Sequence, residues 1–482
     1  MNGPAEISIA LLLGLTMTQT DAAGQSLDRS ARPSPGPAPE VVLPAIQKAT
    51  LTNGLGVWLV ESHKLPQVAM NMVIGAGSDH DPAGSPGTAA LTAEVMEAGT
   101  TSQSALQIAE RIEFIGASMS VRAGIDASFA TLNALSKHLD EALSVYADVV
   151  TAPSFPAQEV ERLRSQRITA LMQQKDRAAV IANLAFNRII YGPGHPYGSD
   201  PSGTEVSLKG MKREDLAEFY RALYRPNNAT LIVVGDVTLA SLVPRLEKAF
   251  SAWQKAGIPA IDLPAVPKPG KRKVYLIDKP GAPQSEIRIG YPALARSTPD
   301  YFPVVVMNRI LGGQFSSRIN MNLRERRGFT YGARSSFSFS RQPGPFFAGG
   351  GFFTAKTDSA LLELMHELGS MQRDGLTPDE LRFSKNGLTG SFAQTFETAG
   401  QIAFALQSLL LYGLPDDYYQ NFLKNIEHVS LGEVKRVSEM YLDPARMAVV
   451  VVGDVKAIRP GIESLGLGDV VECDSQGNPL SQ

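Results

Sequence analysis

Six histidines and one cysteine are the only side chains in this 482-residue chain that can offer an imidazole nitrogen or a thiolate to zinc. The histidines are His63, His80, His138, His195, His366 and His428, with successive gaps of 17, 58, 57, 171 and 62 residues. No two stand three or four apart, so no helix here presents two imidazoles to one ion from one face. Cys473 stands alone, which excludes an internal disulfide framework and a thiolate zinc cage. His195 lies between Gly194 and Pro196 and reads as a loop-stabilising residue. Gly312-Gly313 and Gly349-Gly350-Gly351 carry no Walker pattern and are not phosphate loops. The second cluster either lets an extended peptide approach an edge strand or marks a bulge or close packing. Arg162, Arg164 and Arg167 read as a solvated helix face.

The elements that would position such groups fall into two similar halves. Residues 226–237 read Pro-Asn-Asn-Ala-Thr-Leu-Ile-Val-Val-Gly-Asp-Val, and residues 444–455 read Pro-Ala-Arg-Met-Ala-Val-Val-Val-Val-Gly-Asp-Val. Pro226/Pro444, Gly235/Gly453 and Asp236/Asp454 all keep a spacing of 218. Each copy is a β-branched run ended by a Gly-Asp turn signal, after an amphipathic helical stretch at 214–223 or 432–440. The chain therefore reads as two homologous domains, 46–255 and 273–470, joined by a proline-spaced linker at 256–272. Two lobes on such a tether can enclose a cleft between them. The pattern predicts strands at 57–62, 68–74, 273–277, 286–291 and 329–339. It predicts helices at 106–114, 139–149, 158–174, 302–311, 359–371 and 378–388. Strand pairs followed by helix pairs point to an α+β fold, in which each domain is a mostly antiparallel sheet packed with helices.

Composition bounds the rest. A net charge of −3, with 44% hydrophobic and 19% charged residues, excludes a disordered chain and a strongly basic nucleic-acid binder. The apolar run at 7–15 and the small residues near 22–24 predict a signal peptide over 1–24, hence an exported or periplasmic protein, although the leading segment lacks a basic residue. Alternating prolines over 25–45 predict an extended spacer, and the polar residues 471–482 a frayed tail. No run approaches the length of a membrane span.

Several motifs in order resemble the pitrilysin/insulinase-type zinc metallopeptidases, in particular their processing-peptidase-like branch. They are Tyr191-Gly-Pro-Gly-His-Pro-Tyr-Gly198, the Tyr224-Arg-Pro-Asn-Asn-Ala strand start, Leu311-Gly-Gly-Gln-Phe-Ser-Ser-Arg318 and Leu323-Arg-Glu-Arg-Arg-Gly-Phe-Thr-Tyr331. The resemblance runs from about Thr50 to Val455. It implies an inverted H-x-x-E-H motif, with two histidines on zinc and a glutamate as general base. The matching stretch is Gly87-Thr-Ala-Ala-Leu-Thr-Ala-Glu-Val-Met-Glu-Ala-Gly-Thr100. Ala90 and Glu94 stand at the histidine positions and Ala93 at the base. The family's third ligand, a glutamate, falls near Ala170, and no carboxylate lies between Glu161 and Asp176. The resemblance thus implies a chain without its own metal or catalytic residues.

In heteromeric members of that family, a chain lacking zinc carries an Arg/Tyr pair that serves its zinc-bearing partner. Arg324 and Tyr331 match the pair in type and spacing, which implies a substrate-binding role. A guanidinium fork suits carbonyl or carboxylate oxygens, and a phenol can donate to a developing oxyanion. Read locally, Arg324 belongs to a solvated charge run and Tyr331 to a half-buried strand. The function expected is a non-catalytic subunit that closes half of a clam-shell chamber with a homologous zinc-bearing peptidase and a peptide substrate. The alternatives are an inert peptide-binding or scaffold protein of the same fold, and a zinc endopeptidase active by itself.

Overall fold

The first sheet is built around a strand that can be buried on both faces. Residues Leu231 to Val234 are fully buried, as a continuous β-branched run must be when it runs through a sheet centre. In the computed structural model, which describes residues 45–480, the six strands are β1 (Gln47–Thr50), β2 (Gly56–Glu61), β3 (Gln67–Ile74), β4 (Ser118–Ala123), β5 (Ser128–Leu135) and β6 (Ala229–Gly235). Their order is β1-β2-β6-β3-β5-β4. Only β2 and β6 pair in parallel.

The second sheet repeats the plan with β7 (Lys273–Asp278), β8 (Gln284–Leu294), β9 (Thr330–Phe337), β10 (Gly344–Phe353), β11 (Ala448–Gly453) and β12 (Asp469–Cys473), in the order β12-β7-β11-β8-β10-β9. The two sequence repeats become β6 and β11, each flanked by one parallel and one antiparallel neighbour. One edge breaks the symmetry. β1 joins its sheet antiparallel, whereas β12 arrives from the far end of the chain and joins parallel.

The fold is therefore α+β with two mostly antiparallel sheets, and the predicted elements appear within a few residues of their expected bounds. Two of the helices that were not predicted carry the architecture. Helix Ala178–Tyr191 belongs to the first half in sequence, yet its Ile181, Ala182, Ala185, Phe186 and Ile190 pack on Ile277, Val450 and Val452 of the second sheet. Helix Ala399–Tyr412 reciprocates, placing Ala403, Leu406 and Leu409 against Val60, Val73, Ile232 and Val234 of the first sheet. Each sheet thus has one face covered by its own helices and the other by a helix from the opposite half. A polar contact pins each exchange. Asn71 Nδ2 donates to Gln407 Oε1 at 2.7 Å, and Arg288 Nε donates to Asn183 Oδ1 at 2.8 Å. Asn71 stands opposite Ile232 and Arg288 opposite Val450, and Ile232 and Val450 are 218 apart like the repeat itself. All described residues lie in one compact unit. The linker at 256–272 carries no helix or strand up to Arg272, and the exchanged helices rather than the linker hold the halves together.

Two expectations change, and one pair of alternatives is resolved. The tail is not frayed over its described length. β12 crosses the expected boundary at 470, Asp474 accepts hydrogen bonds from the Gln476 and Asn478 backbone, and Asn478 Oδ1 takes a 2.9 Å bond from Arg188. The glycine run at 349–351 lies in β10, which is not an edge strand. A side chain on Gly349 would meet the Ile287 carbonyl oxygen at 1.9 Å, and the register with β9 slips between Gly350 and Phe352. Close packing and a bulge are what these glycines serve. The arginine stripe is not simply solvated, as described below. The predicted signal and spacer, residues 1–44, lie outside the described residues. Among the described residues no helix is long and apolar enough to cross a membrane.

Candidate functional site

Helix Thr88–Met96 carries the three degenerate positions. Its start is fixed from the preceding loop, where Asp81 accepts hydrogen bonds from the backbone N–H groups of Gly87 and Ala89, both at 2.7 Å. A carboxylate there suits the positive end of a helix. Burial nonetheless pushes Asp81 up to about 7, against the pull of those two donors. Ala93 is fully buried in the first-half core, while Ala90 and Glu94 are part-exposed.

Helix Ala157–Gln174 packs beside this helix and supplies an unexpected partner. Arg167 Nη2 lies 2.5 Å from Glu94 Oε2 and 3.4 Å from the Ala90 carbonyl oxygen. Its side chain is only 18% exposed. Arg164 is likewise engaged, donating to the Met211 carbonyl oxygen at 2.6 Å. Ala170, near which the family's third ligand position falls, is exposed. Zinc does not fit this donor set. Two of the positions offer methyl groups, and the one carboxylate is neutralised by a permanent cation. Among the described residues no group of three His, Cys, Asp or Glu side chains can hold a metal ion.

The Arg/Tyr pair sits in the other half. Residues Met321–Arg326 form a π-helical turn, ended by Gly328 in the left-handed region at φ 63°. Gly328 N–H bonds the Arg324 carbonyl at 3.1 Å and Phe329 N–H bonds that of Leu323 at 2.9 Å, so the chain reverses directly into β9. Arg324 lies 4.7 Å over the Phe315 ring and 3.5 Å from Glu325. Tyr331 is 78% exposed, with its ring edge-on to Phe353 at 5.9 Å. It is not the half-buried strand tyrosine of the local reading. The two side chains do not touch through a hydrogen bond, and neither is joined to the Ala90–Glu94 segment.

His195 is buried, accepts from Tyr197 N–H at 3.1 Å through Nδ1, and stacks on Tyr191 at 5.2 Å. Burial lowers its pKa. It is a loop-stabilising residue, as expected. The loop it shapes belongs to a socket that sequence reasoning missed. The turn between β9 and β10 enters that socket. Tyr191 Oη donates to the Pro343 carbonyl at 2.8 Å, Arg341 N–H donates to Asp126 at 2.9 Å, and Arg341 Nη1 lies 3.5 Å from the buried Asp79. No local signal marks Asp79, Asp126 and Arg341, which are charged loop residues brought together over more than 200 positions of sequence.

Comparison with known proteins now decides the family. Residues 57–189 match the model described as insulinase (peptidase family M16), and residues 210–388 match the model described as the peptidase M16 inactive domain. The chain belongs to peptidase family M16. Among its relatives, it is 25% identical over 73% of its length to an uncharacterized zinc protease, YmxG, of Bacillus subtilis, covering 85% of that protein. It is 23% identical over 82% of its length to a protein of Helicobacter pylori named a non-peptidase homolog, covering 91% of it. A solved M16 inactive-domain structure from Pseudomonas fluorescens superimposes with a TM-score of 0.80 at 27% identity, over 85% of this chain and 98% of that one. The resemblance read from the motifs therefore holds.

Proposed function

We propose that this chain is the non-catalytic subunit of a heteromeric zinc metallopeptidase. It closes half of the chamber, and Arg324 and Tyr331 act on substrate held at the zinc of a homologous partner. The observation that carries this reading is the state of Tyr331, an exposed phenol with no side-chain hydrogen bond among the described residues, on the strand that follows the turn carrying the half-exposed Arg324. In the partner, zinc would supply Lewis-acid polarisation of the scissile carbonyl and an activated water. In this chain, Arg324 would orient a substrate oxygen, and Tyr331 would donate its phenolic proton in a hydrogen bond to the developing oxyanion. The M16 inactive-domain match and the Helicobacter pylori relative's name support the absence of catalysis in this chain alone.

The test is peptide hydrolysis by this chain alone, by its zinc-bearing partner alone and by the two mixed. Activity only in the mixture supports the reading. Chelator-sensitive activity in this chain alone would restore the independent enzyme. Activity in the partner that the mixture leaves unchanged would favour the inert peptide-binding or scaffold protein. Export through a cleaved segment near residue 24 is part of the proposal, and N-terminal sequencing of the mature protein checks it.

A further inference from the structure

We infer that the surface around Tyr331 selects peptides in which carboxylates flank a bulky apolar side chain, an inference that rests on the reading above and names its substrate class. Phe315 is 63% exposed, Tyr331 78% and Phe353 38%. Folded chains seldom leave three large rings this open in one region without a partner. Backbone contacts link the segments that carry them. Phe353 N–H bonds the Phe329 carbonyl at 3.1 Å, Tyr331 follows two residues later, and the Gly328 turn brings up Arg324 with Phe315 beneath it.

The charges around these rings are mostly of one sign. Arg327 and Lys356 each approach the Phe329 ring at 5.9 Å. Arg327 is matched by Glu363 at 2.6 Å, and Arg324 by Glu325 at 3.5 Å. Arg326 and Lys356 make no ion pair among the described residues, and both are exposed. Arg326 stands two residues from Arg324 and Lys356 three from Phe353, so in a chain of net charge −3 these two unpaired cations give the segments a local excess of positive charge. Its complement is an anionic peptide, with rings to receive an apolar side chain and cations to receive the carboxylates on either side. Free cations beside aromatic faces repel a basic peptide of the same shape, so the selection works in both directions.

The test measures fluorescence anisotropy of the full chain, without a partner, against two labelled peptides of equal length and equal apolar content. One carries Asp and Glu beside Phe and Leu, and the other carries Lys and Arg. The acidic peptide is expected to bind at least tenfold more tightly, with the difference shrinking as salt rises. Tyr331→Ala is expected to weaken it several-fold, and the double variant Arg326→Glu with Lys356→Glu is expected to reverse the preference. All three changes are on exposed side chains, and circular dichroism confirms folding. Equal binding of the two peptides, a preference for the basic one, or a preference unmoved by the charge reversal would each overturn the inference. Loss of complex formation in the charge-reversed chain, with no peptide binding in the wild type, would assign the patch to the partner subunit and overturn it as well. Hydrolysis of basic substrates by the two-chain mixture would refute this selectivity while leaving the subunit reading intact. Acidic-peptide binding without any active mixture would do the opposite.

Discussion

Helix Thr88–Met96 and the turn around Arg324 both carry charged side chains where a peptidase of this family would do its work, and they use them in opposite ways. At the helix, Glu94 is spent on Arg167, and both belong to the packing of two helices. At the turn, Tyr331 is open to solvent and half-exposed Arg324 holds only its chain neighbour Glu325 and the Phe315 ring. A site that satisfies its own charges has become structure. A site that leaves a phenol and a guanidinium open retains something to offer a ligand, since exposed groups of that kind add little to stability.

Four measurements test that contrast. Replacing Arg324 by Ala together with Tyr331 by Phe should lower turnover of the two-chain mixture by about 10²-fold or more, as loss of a transition-state donor does, while the melting temperature of this chain stays unchanged. Unchanged turnover would leave the turn as inert as the helix.

The second measurement concerns pH. The folded chain takes up the Asp81 proton near pH 7, and the unfolded chain only near pH 4. Stability from this group is therefore absent above pH 7, grows as the pH falls from about 7 towards 4, and then levels off. At pH 5.5 it amounts to about 2 kcal/mol relative to pH 7.5. Asp81→Asn lacks this increment, so the gap in urea-unfolding free energy between wild type and variant should widen by that amount on acidification. A constant gap would place Asp81 as an ordinary ionised cap.

A smaller effect tests the ion pair. Arg167→Met should cost about 1 kcal/mol by urea unfolding, whereas Tyr331→Ala should cost less than about 0.5 kcal/mol. Equal costs would erase the distinction between the two regions. The last expected effect is nil. Installing His, Glu and His at 90, 93 and 94 should leave zinc far below one per chain by metal analysis, because Arg167 stays beside the site and position 170 offers only a methyl group. Stoichiometric zinc would show that the helix is merely missing ligands.

Much of this was legible in the sequence. The central strands were, because β6 and β11 are β-branched runs repeated at a fixed spacing. The degenerate positions were as well, because a methyl group can be read as one from its letter. The exchange helices were not. Ala178–Tyr191 and Ala399–Tyr412 are apolar nearly all round, so they lack the one-sided pattern that betrays a surface helix, and nothing local says which sheet they cover. Arg167 was misread for a related reason. Its neighbours Arg162 and Arg164 suggested a charged face, and only the packing of two helices separated by some sixty residues reveals that its partner is Glu94. Sequence also placed Tyr331 on a strand without saying that its side of the strand would be left open.

The exchanged helices carry a consequence for how such a chain can be divided. Fragments 45–255 and 273–480, produced separately, would each expose a sheet face that only the other can cover, and each would be expected to aggregate. Co-expressed, they contain every contact of the intact body except the linker. The peptide connection then sets the ratio of the two halves at one to one and speeds their meeting, while recognition between them is already written in the helices. A duplicated gene for a self-pairing ancestor, joined end to end, would have this layout from the first generation.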